Sequence, residues 1–372
     1  MSNIRSTLPQ VEIRPSDARA SGWFGPGRRA RLIGFAVLAV VVVLYPLLAP
    51  ASRWIDAANM VMIAAVGAIA LNILIGVAGQ FSMGSAAFMA IGSFTASIIT
   101  TQFVELPFLL TLLVGAVAGG IAAVFVGFIA LRIRGFYLAL ATIALHYIVI
   151  FVFQRIQEGT VGITGYLMPS ADVFGFGLVR ATDWYPVLVV ILTLIAIGAH
   201  NLMRGRTGRS FRAVKDRDIA AAILGVNVTR TKMIAFIVTS MIIGFQGSLF
   251  AYYVGVVTYE AFHLDVAVQY IAMIMIGGIA TVSGSILGAI FVIALPYIVE
   301  AIVPALPSWF PFSDLIERNL FSVQLVIYGL VIIIFILRVP RGMSYGFARL
   351  GRSIAALARR TITKSPTQGG AR

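Results

Sequence analysis

Polar residues inside apolar stretches are the first places in this chain where chemistry could occur. Asn72, Gln80, Ser82 and Ser85 flank a glycine-rich interruption, residues 76–84, in a long uncharged stretch. Within a membrane, irregular backbone is tolerated only where it is buried in protein or lines a cavity. We therefore predict that these four residues line a substrate pathway. The alternative is helix packing through small and polar side chains.

A basic segment, residues 204–232, is the second such place. Its alanine-rich middle predicts a short helix, which Asp216 or Asp218 would cap and which would end near Gly225. Because small side chains let a helix approach another surface closely, we predict a docking element, with a plain charged loop as the alternative. The residues assigned to it are Arg209, Arg212, Asp216, Asp218, Ala220, Ala221, Gly225 and Asn227.

Catalytic and metal-binding motifs are not found in the sequence. Cysteine is absent, and the three histidines are far apart, so no metal site or Cys nucleophile is expected. A phosphate-binding loop needs Gly-Lys-Ser/Thr, and none of the three lysines follows a glycine. The chain is therefore predicted to be no enzyme and to hold no cofactor. His146 is predicted to be structural and bonded to a neighbouring helix, with a substrate or gating contact as the alternative.

The composition identifies the class of protein that must position these residues. Hydrophobic residues make up 60% of the 372 residues and charged residues only 11%. Soluble domains are about 25% charged, so soluble and disordered classes are excluded and a membrane protein remains. The net charge of +14 raises nucleic acid as a partner, unless the charges are explained by membrane topology.

Uncharged stretches long enough to cross a bilayer are the expected transmembrane segments, since about 20 apolar residues span the hydrocarbon core. They occupy residues 32–52, 57–104, 106–131, 135–154, 184–203, 233–259, 266–299 and 319–337. Stretches 57–104 and 266–299 are each long enough for two spans and are each interrupted by glycines. Two spans in each of these stretches give about ten spans in total. The alternative is that either stretch contains a re-entrant hairpin.

The distribution of charge predicts the sidedness of these spans. With ten spans and the N-terminus inside, all but four of the 28 lysines and arginines lie on the cytoplasmic side, as the positive-inside rule requires. We therefore predict an all-α, polytopic inner-membrane bundle with both termini cytoplasmic. The basic excess reflects topology and does not indicate nucleic acid.

The predicted organisation has three parts. Residues 1–31 form a disordered cytoplasmic arm, residues 32–338 a transmembrane domain that contains the 204–232 loop, and residues 339–372 a basic cytoplasmic tail. Within the tail, residues 343–360 have the spacing of an amphipathic surface helix, with a loosely ordered tail as the alternative.

Several motifs resemble those of a known family. Residues 220–225 read AAAILG and resemble the coupling loop of ABC-importer permeases. The stretches that resemble the LivM-type permeases of branched-chain amino-acid importers are LNILIGVAGQFSMGSAAF (71–88), RIRGFYLALAT (132–142), TGRSFRAVKDRDIAAAILGVN (207–227), GGIATVSGSILGA (277–289) and VPRG (339–342). The likeness extends from about residue 32 to 343.

This resemblance implies an ATP-driven importer that moves branched-chain or related hydrophobic amino acids from periplasm to cytoplasm by alternating access. The implied partners are a second, homologous permease subunit, two cytoplasmic ATP-binding subunits that hold ATP and Mg²⁺, and a periplasmic substrate-binding protein. Loop 204–232 would transmit closure of the ATP-binding subunits. The alternatives are a urea/amide or sugar permease of the same superfamily, a sodium-coupled carrier that works alone, and a scaffold without transport.

Overall fold

The computed structural model describes residues 52–104, 106–130, 136–173 and 175–302, with isolated positions between 326 and 343. These residues belong to one compact unit, Ala49–Arg372. The predicted arm 1–31, the spans predicted within 32–52 and 319–337, and the tail 339–372 lie outside the described elements.

Helices dominate the described part of the chain, as the all-α prediction requires, and short strands accompany them. The α-helices are α1 (Ser52–Asn72), α2 (Ser85–Ile98), α3 (Phe108–Ala130), α4 (Phe136–Thr160), α5 (Ala181–Arg204), α6 (Arg206–Asp216), α7 (Asp218–Ile223), α8 (Val228–Val254), α9 (Leu264–Gly277) and α10 (Val282–Ile302). The strands are β1 (Tyr166–Leu167), β2 (Ala171–Val173), β3 (Phe176–Leu178) and β4 (Val256–Val257), and they pair antiparallel as β1–β4 and β2–β3.

Eight helical segments in the described residues are long and apolar enough to cross a membrane. Two of them, Ser52–Val77 and Ser85–Phe103, overlap stretch 57–104, and Tyr259–Gly277 and Val282–Ala301 overlap stretch 266–299. Both long stretches therefore hold two helices, as predicted, and each pair is separated at its glycine-rich interruption. The total of ten spans and the sidedness remain predictions.

Helix α8 packs between α2 and α3 with its backbone very close to both. A side chain at Gly92 of α2 would collide with the carbonyl group of Gly244 in α8. Across the same contact, Ser93 Oγ donates to the carbonyl of Gly247 at 2.6 Å, and Ser248 Oγ donates to that of Gly92 at 3.1 Å. Small residues and hydroxyl bonds thus hold these helices together, since lipid-exposed bundles gain little from apolar burial alone.

Helix α1 is the most enclosed of the described spans and contacts α5, α8, α9 and α10. Buried amides connect this part of the bundle. Asn59 Nδ2 of α1 donates to the carbonyl of Ala181 in α5 at 2.8 Å, and Gln246 Nε2 of α8 donates to Tyr270 Oη of α9 at 2.5 Å. The first bond joins α1 to α5, and the second joins α8 to α9.

Candidate functional site

The segment that joins α5 to α8 folds into two short helices at one end of the bundle, α6 and α7. Phe211 and Val214 of α6 are buried and lie three residues apart, so one face of this basic helix packs inward. Arg209 Nη1 and Arg212 Nη1 turn back and donate to the carbonyls of Arg204 and Met203, at 3.2 Å and 2.8 Å. These two predicted docking residues therefore cap the last turn of α5.

Helix α7 ends as the sequence predicts but begins differently. Gly225 has φ +85°. Its N–H donates to the carbonyl of Ala222, and the N–H of Val226 donates to that of Ala221, which is a Schellman motif. Neither aspartate caps the helix, contrary to our expectation. Asp216 is the last residue of α6, and Asp218 is the first residue of α7.

Three large aliphatic side chains of this segment are exposed. Ile219, Ile223 and Leu224 are 75%, 81% and 83% exposed. They lie at positions i, i+4 and i+5 and form what we call the α7 face. Sequence reasoning missed it, although this spacing in a strongly basic loop was a usable signal. Outside the spans, an exposed cluster of this kind typically marks an interaction site.

The other predicted docking residues have different environments. Asn227 Oδ1 accepts from the backbone N–H of Arg230 at 2.9 Å and caps α8. Ala221 is buried, whereas Ala220 and Asp216 are exposed. Asp218 Oδ2 lies 3.8 Å from Lys232 Nζ in the first turns of α8. The structure thus gathers these residues at one end of the bundle, and their docking role stays a prediction.

Asn72 connects the two glycine-rich interruptions. Its Nδ2 carries two hydrogens and shares them among three acceptors, which are Ser285 Oγ at 2.7 Å and the carbonyls of Thr281 and Gly278 at 3.0 Å and 3.2 Å. Its Oδ1 accepts from the backbone N–H of Ala280 at 2.7 Å. The amide is 2% exposed, and all its polar atoms are used within the protein, as the helix-packing alternative expects.

The other three predicted pathway residues are buried but less fully bonded. Ser82 Oγ accepts from the N–H of Gly84 at 3.3 Å, within the turn. Gln80 Nε2 donates to the carbonyl of Lys232 at 3.0 Å. Gln80 Oε1 and Ser85 Oγ have no hydrogen-bond partner among the described residues, so they retain capacity for a ligand or water. The pathway assignment stays a prediction.

His146 is 1% exposed on α4. Its ring lies edge-on to Tyr147 with the centroids 5.5 Å apart. Its Nδ1 lacks a hydrogen-bond partner among the described residues, so the predicted bond to a neighbouring helix is not found at this atom. Arg132 and Arg134, which contribute to the sequence resemblance, lie outside the described residues.

At the opposite end of the bundle, a crevice of about 440 Å³ opens between the start of α3 and the β2–β3 hairpin. Thr100, Phe108, Asp172 and Tyr252 are among its lining residues. Buried Thr100 Oγ1 has no partner within the described part of the chain. None of the predicted pathway residues lines this crevice, so it is separate from the glycine-rich interruptions.

Comparison with known proteins adds an independent line of evidence. Residues 54–336 match the family model described as branched-chain amino acid transport system / permease component. The high-affinity branched-chain amino acid transport system permease proteins LivM of Salmonella typhimurium and Escherichia coli are each 28% identical to the chain. These alignments cover 69% of this chain and 65% of each relative's own length.

A shorter match involves a different import system. The autoinducer 2 import system permease protein LsrC of an Enterobacter species is 32% identical over 154 residues, which is 40% of this chain and 42% of that protein. No solved structure matches the chain significantly.

Proposed function

The chain belongs to the family of branched-chain amino acid transport system permease components, which are multi-pass inner-membrane proteins, and on this premise we propose that it is the membrane subunit of an ATP-driven importer of branched-chain or related hydrophobic amino acids. A periplasmic binding protein would deliver the amino acid. ATP-binding subunits, which would hold ATP and Mg²⁺, would drive the cycle, and a second permease subunit would complete the pathway.

The observation that carries this proposal is the α7 face. The positive-inside rule places the α6–α7 segment in the cytoplasm, where Ile219, Ile223 and Leu224 would stand in water. Burying a large aliphatic side chain is worth about 1.5–3 kcal/mol. A groove that seats all three would gain several kcal/mol, which supports a protein partner at this surface.

The charge around the α7 face indicates the chemistry of that partner. Arg217 is exposed beside the face, and Arg206 is exposed at the start of α6. An apolar groove with an acidic rim would complement this arrangement. We assign that groove to a cytoplasmic ATP-binding subunit, so the segment would pass that subunit's movements to the spans.

The nature of the cargo is supported by the family and by the two LivM relatives. The partial match to an autoinducer 2 permease supports a sugar-type cargo as the second candidate. The match to a family of transport-system permease components supports the importer over a sodium-coupled carrier that works alone.

Reconstitution in proteoliposomes tests the proposal. The chain is purified with its ATP-binding subunits, partner permease and binding protein, and uptake of labelled leucine is compared with uptake of urea and ribose. We expect leucine uptake that requires ATP and ceases when the ATP-binding subunit is hydrolysis-deficient. Uptake of ribose or urea without uptake of leucine would show that the cargo is not an amino acid. Sodium-dependent uptake by the isolated chain would refute the ATP-driven mechanism.

A further inference from the structure

A lysine of α6 contacts the glycine-rich interruption between α1 and α2 directly. Lys215 Nζ donates to the carbonyl of Gly76 at 2.6 Å. Gly76 lies in the π-helical turn Ile73–Val77 that continues α1. Carbonyls at helix ends lack partners within the helix, and a cation is favourable there because of the helix dipole. The lysine therefore binds the end of the most enclosed span.

The stem of the same lysine lies over a second glycine. Gly79 has φ +70°, and a Cβ built on it would lie 2.7 Å from Lys215 Cγ. Lysine stems commonly cover apolar surface while the ammonium group binds elsewhere. Charge and stem thus engage two positions of one interruption, which a loosely solvated lysine would not do.

Gly76 in turn packs against the second interruption. A Cβ at Gly76 would collide with Asn72 Oδ1 and would lie 2.6 Å from the backbone nitrogen of Ala280. Ala280 has φ +62°, a left-handed conformation that few residues other than glycine adopt. Asn72 holds this turn through its bond from the Ala280 N–H. Lys215, Gly76, Asn72 and Ala280 therefore form a continuous series of contacts.

We propose that Lys215 is the positioning residue through which a shift of the α6–α7 segment reaches both helix interruptions at once. This inference rests on the proposed function, because it assumes that the segment moves with the ATP-binding subunits. When α6 shifts, the bond from Lys215 pulls on the Gly76 carbonyl. The tight contact of Gly76 with Asn72 and Ala280 carries the shift to the turn between α9 and α10.

The contact geometry also distinguishes Lys215 from the neighbouring cations. Arg209 and Arg212 donate to carbonyls of α5, and Lys232 pairs with Asp218 of α7. Among these residues, Lys215 is the one whose charged atom binds a carbonyl of α1. Its removal should therefore loosen transmission to α1 and leave the α7 face in place for its partner.

The test uses the reconstituted complex and measures leucine uptake, ATP hydrolysis and the amount of assembled complex for each variant. We expect Lys215→Ala and Lys215→Met to assemble and hydrolyse ATP while uptake per ATP falls about fivefold or more, the lower end of typical coupling between sites. Lys215→Met retains the stem over Gly79, so it separates loss of the charge from loss of packing. Lys215→Arg should restore part of the uptake per ATP.

The matched control is Arg155→Ala. Arg155 is a cation at the other end of the bundle, 70% exposed and 3.7 Å from Glu158, and its removal should leave uptake per ATP unchanged. A further variant, Gly79→Ala, should displace the lysine stem and lower the same ratio. Combined with Lys215→Ala, it should add little to the loss of uptake per ATP, because both substitutions break the same contact. The strain of alanine at φ +70° would appear separately, as a smaller amount of assembled complex.

A cysteine reporter makes the result independent of the cargo. The chain has no cysteine, so Phe81→Cys places a single thiol at an exposed position of the first interruption. With Lys215 intact, we expect its labelling rate to differ between nucleotide-free and ATP-bound complex, and Lys215→Met should abolish that difference. The proposal is overturned if Lys215→Met keeps the parent's uptake per ATP and nucleotide-dependent labelling.

The reporter also separates the two proposals. If the parent complex transports no leucine but labelling still depends on ATP and Lys215, the cargo is wrong and the role of Lys215 stands. If leucine is transported and labelling does not depend on Lys215, the proposed role of Lys215 is wrong and the proposed function stands.

Discussion

Replacement of Asn72 by alanine should destabilise the bundle by disconnecting the two glycine-rich interruptions. The amide has four polar contacts across them, and its two N–H groups and its oxygen allow about three full hydrogen bonds. At about 0.5–1.5 kcal/mol for each bond, their loss amounts to about 1.5–4.5 kcal/mol. Some of the former partners find other donors, which lowers this loss.

Two of the carbonyls that lose Asn72 keep a second donor. Thr281 Oγ1 donates to the carbonyl of Gly278 at 3.0 Å, and the N–H of Ser285 donates to that of Thr281 at 3.2 Å. The N–H of Ala280 loses its acceptor on Asn72. We therefore expect a loss in the lower half of the range, about 1.5–3 kcal/mol.

Unfolding of the detergent-solubilised chain, followed by tryptophan fluorescence, measures this loss. Asn201→Ala is the control, because Asn201 is an exposed asparagine in α5 and its replacement should slightly favour the helix. Asn72→Asp gives a second comparison. A carboxylate keeps an acceptor for Ala280 but faces the carbonyls of Gly278 and Thr281 without a donor, so it should unfold more easily than Asn72→Ala.

Two results would refute this reasoning. If Asn72→Ala unfolds at the same midpoint as the parent chain, the bonds of the amide do not contribute to stability. If Asn72→Asp is the more stable of the two variants, the donor bonds to the carbonyls are not the important ones. A normal midpoint with impaired leucine uptake would instead support the predicted pathway role of Asn72.

Three further predictions concern docking, capping and packing. Ile223→Asp should reduce co-purification of the ATP-binding subunit about tenfold or more, because a charge replaces an aliphatic contact that is buried in the complex and is worth about 1.5–3 kcal/mol. Equal co-purification would show that the α7 face is not part of the interface. Asn227→Ala should lower the unfolding free energy by about 1 kcal/mol through loss of the α8 cap on the Arg230 N–H, with Asn227→Ser restoring most of it. Gly92→Val should prevent folding, measured as loss of the monodisperse peak in size-exclusion chromatography, since its Cβ would lie 2.7 Å from the Cα of Gly244; a normal peak would contradict the close packing of α2 on α8.

The membrane class and the paired spans follow from local sequence alone. Hydrocarbon requires that a spanning helix be about 20 apolar residues long and free of central charge, so a count of uncharged residues locates each span. The interruptions at 76–84 and 277–285 are visible because several glycines stand close together, and the structure separates the helix pairs there. The end of α7 at Gly225 could also be predicted from local sequence, because glycine readily adopts the positive φ of this helix end.

The partners of individual side chains were decided by the tertiary structure. Asn72 and Ser285 are separated by 213 residues in sequence, and Lys215 and Gly76 by 139. No pattern of hydrophobic residues in the sequence indicates such contacts, because they depend on which helices pack together. The same limit explains why the sequence could not predict that Arg209 and Arg212 donate to carbonyls at the end of α5.

The sequence by itself thus determined that the chain is a membrane bundle with a basic loop and two interrupted stretches, because apolar length and charge act residue by residue. Only the tertiary structure decided that the two interruptions lie against each other, that Lys215 binds one of them, and that Ile219, Ile223 and Leu224 stay exposed. The physical reason is that hydrogen bonds and close packing require particular atoms to meet, and helix packing alone brings together atoms that are distant along the chain.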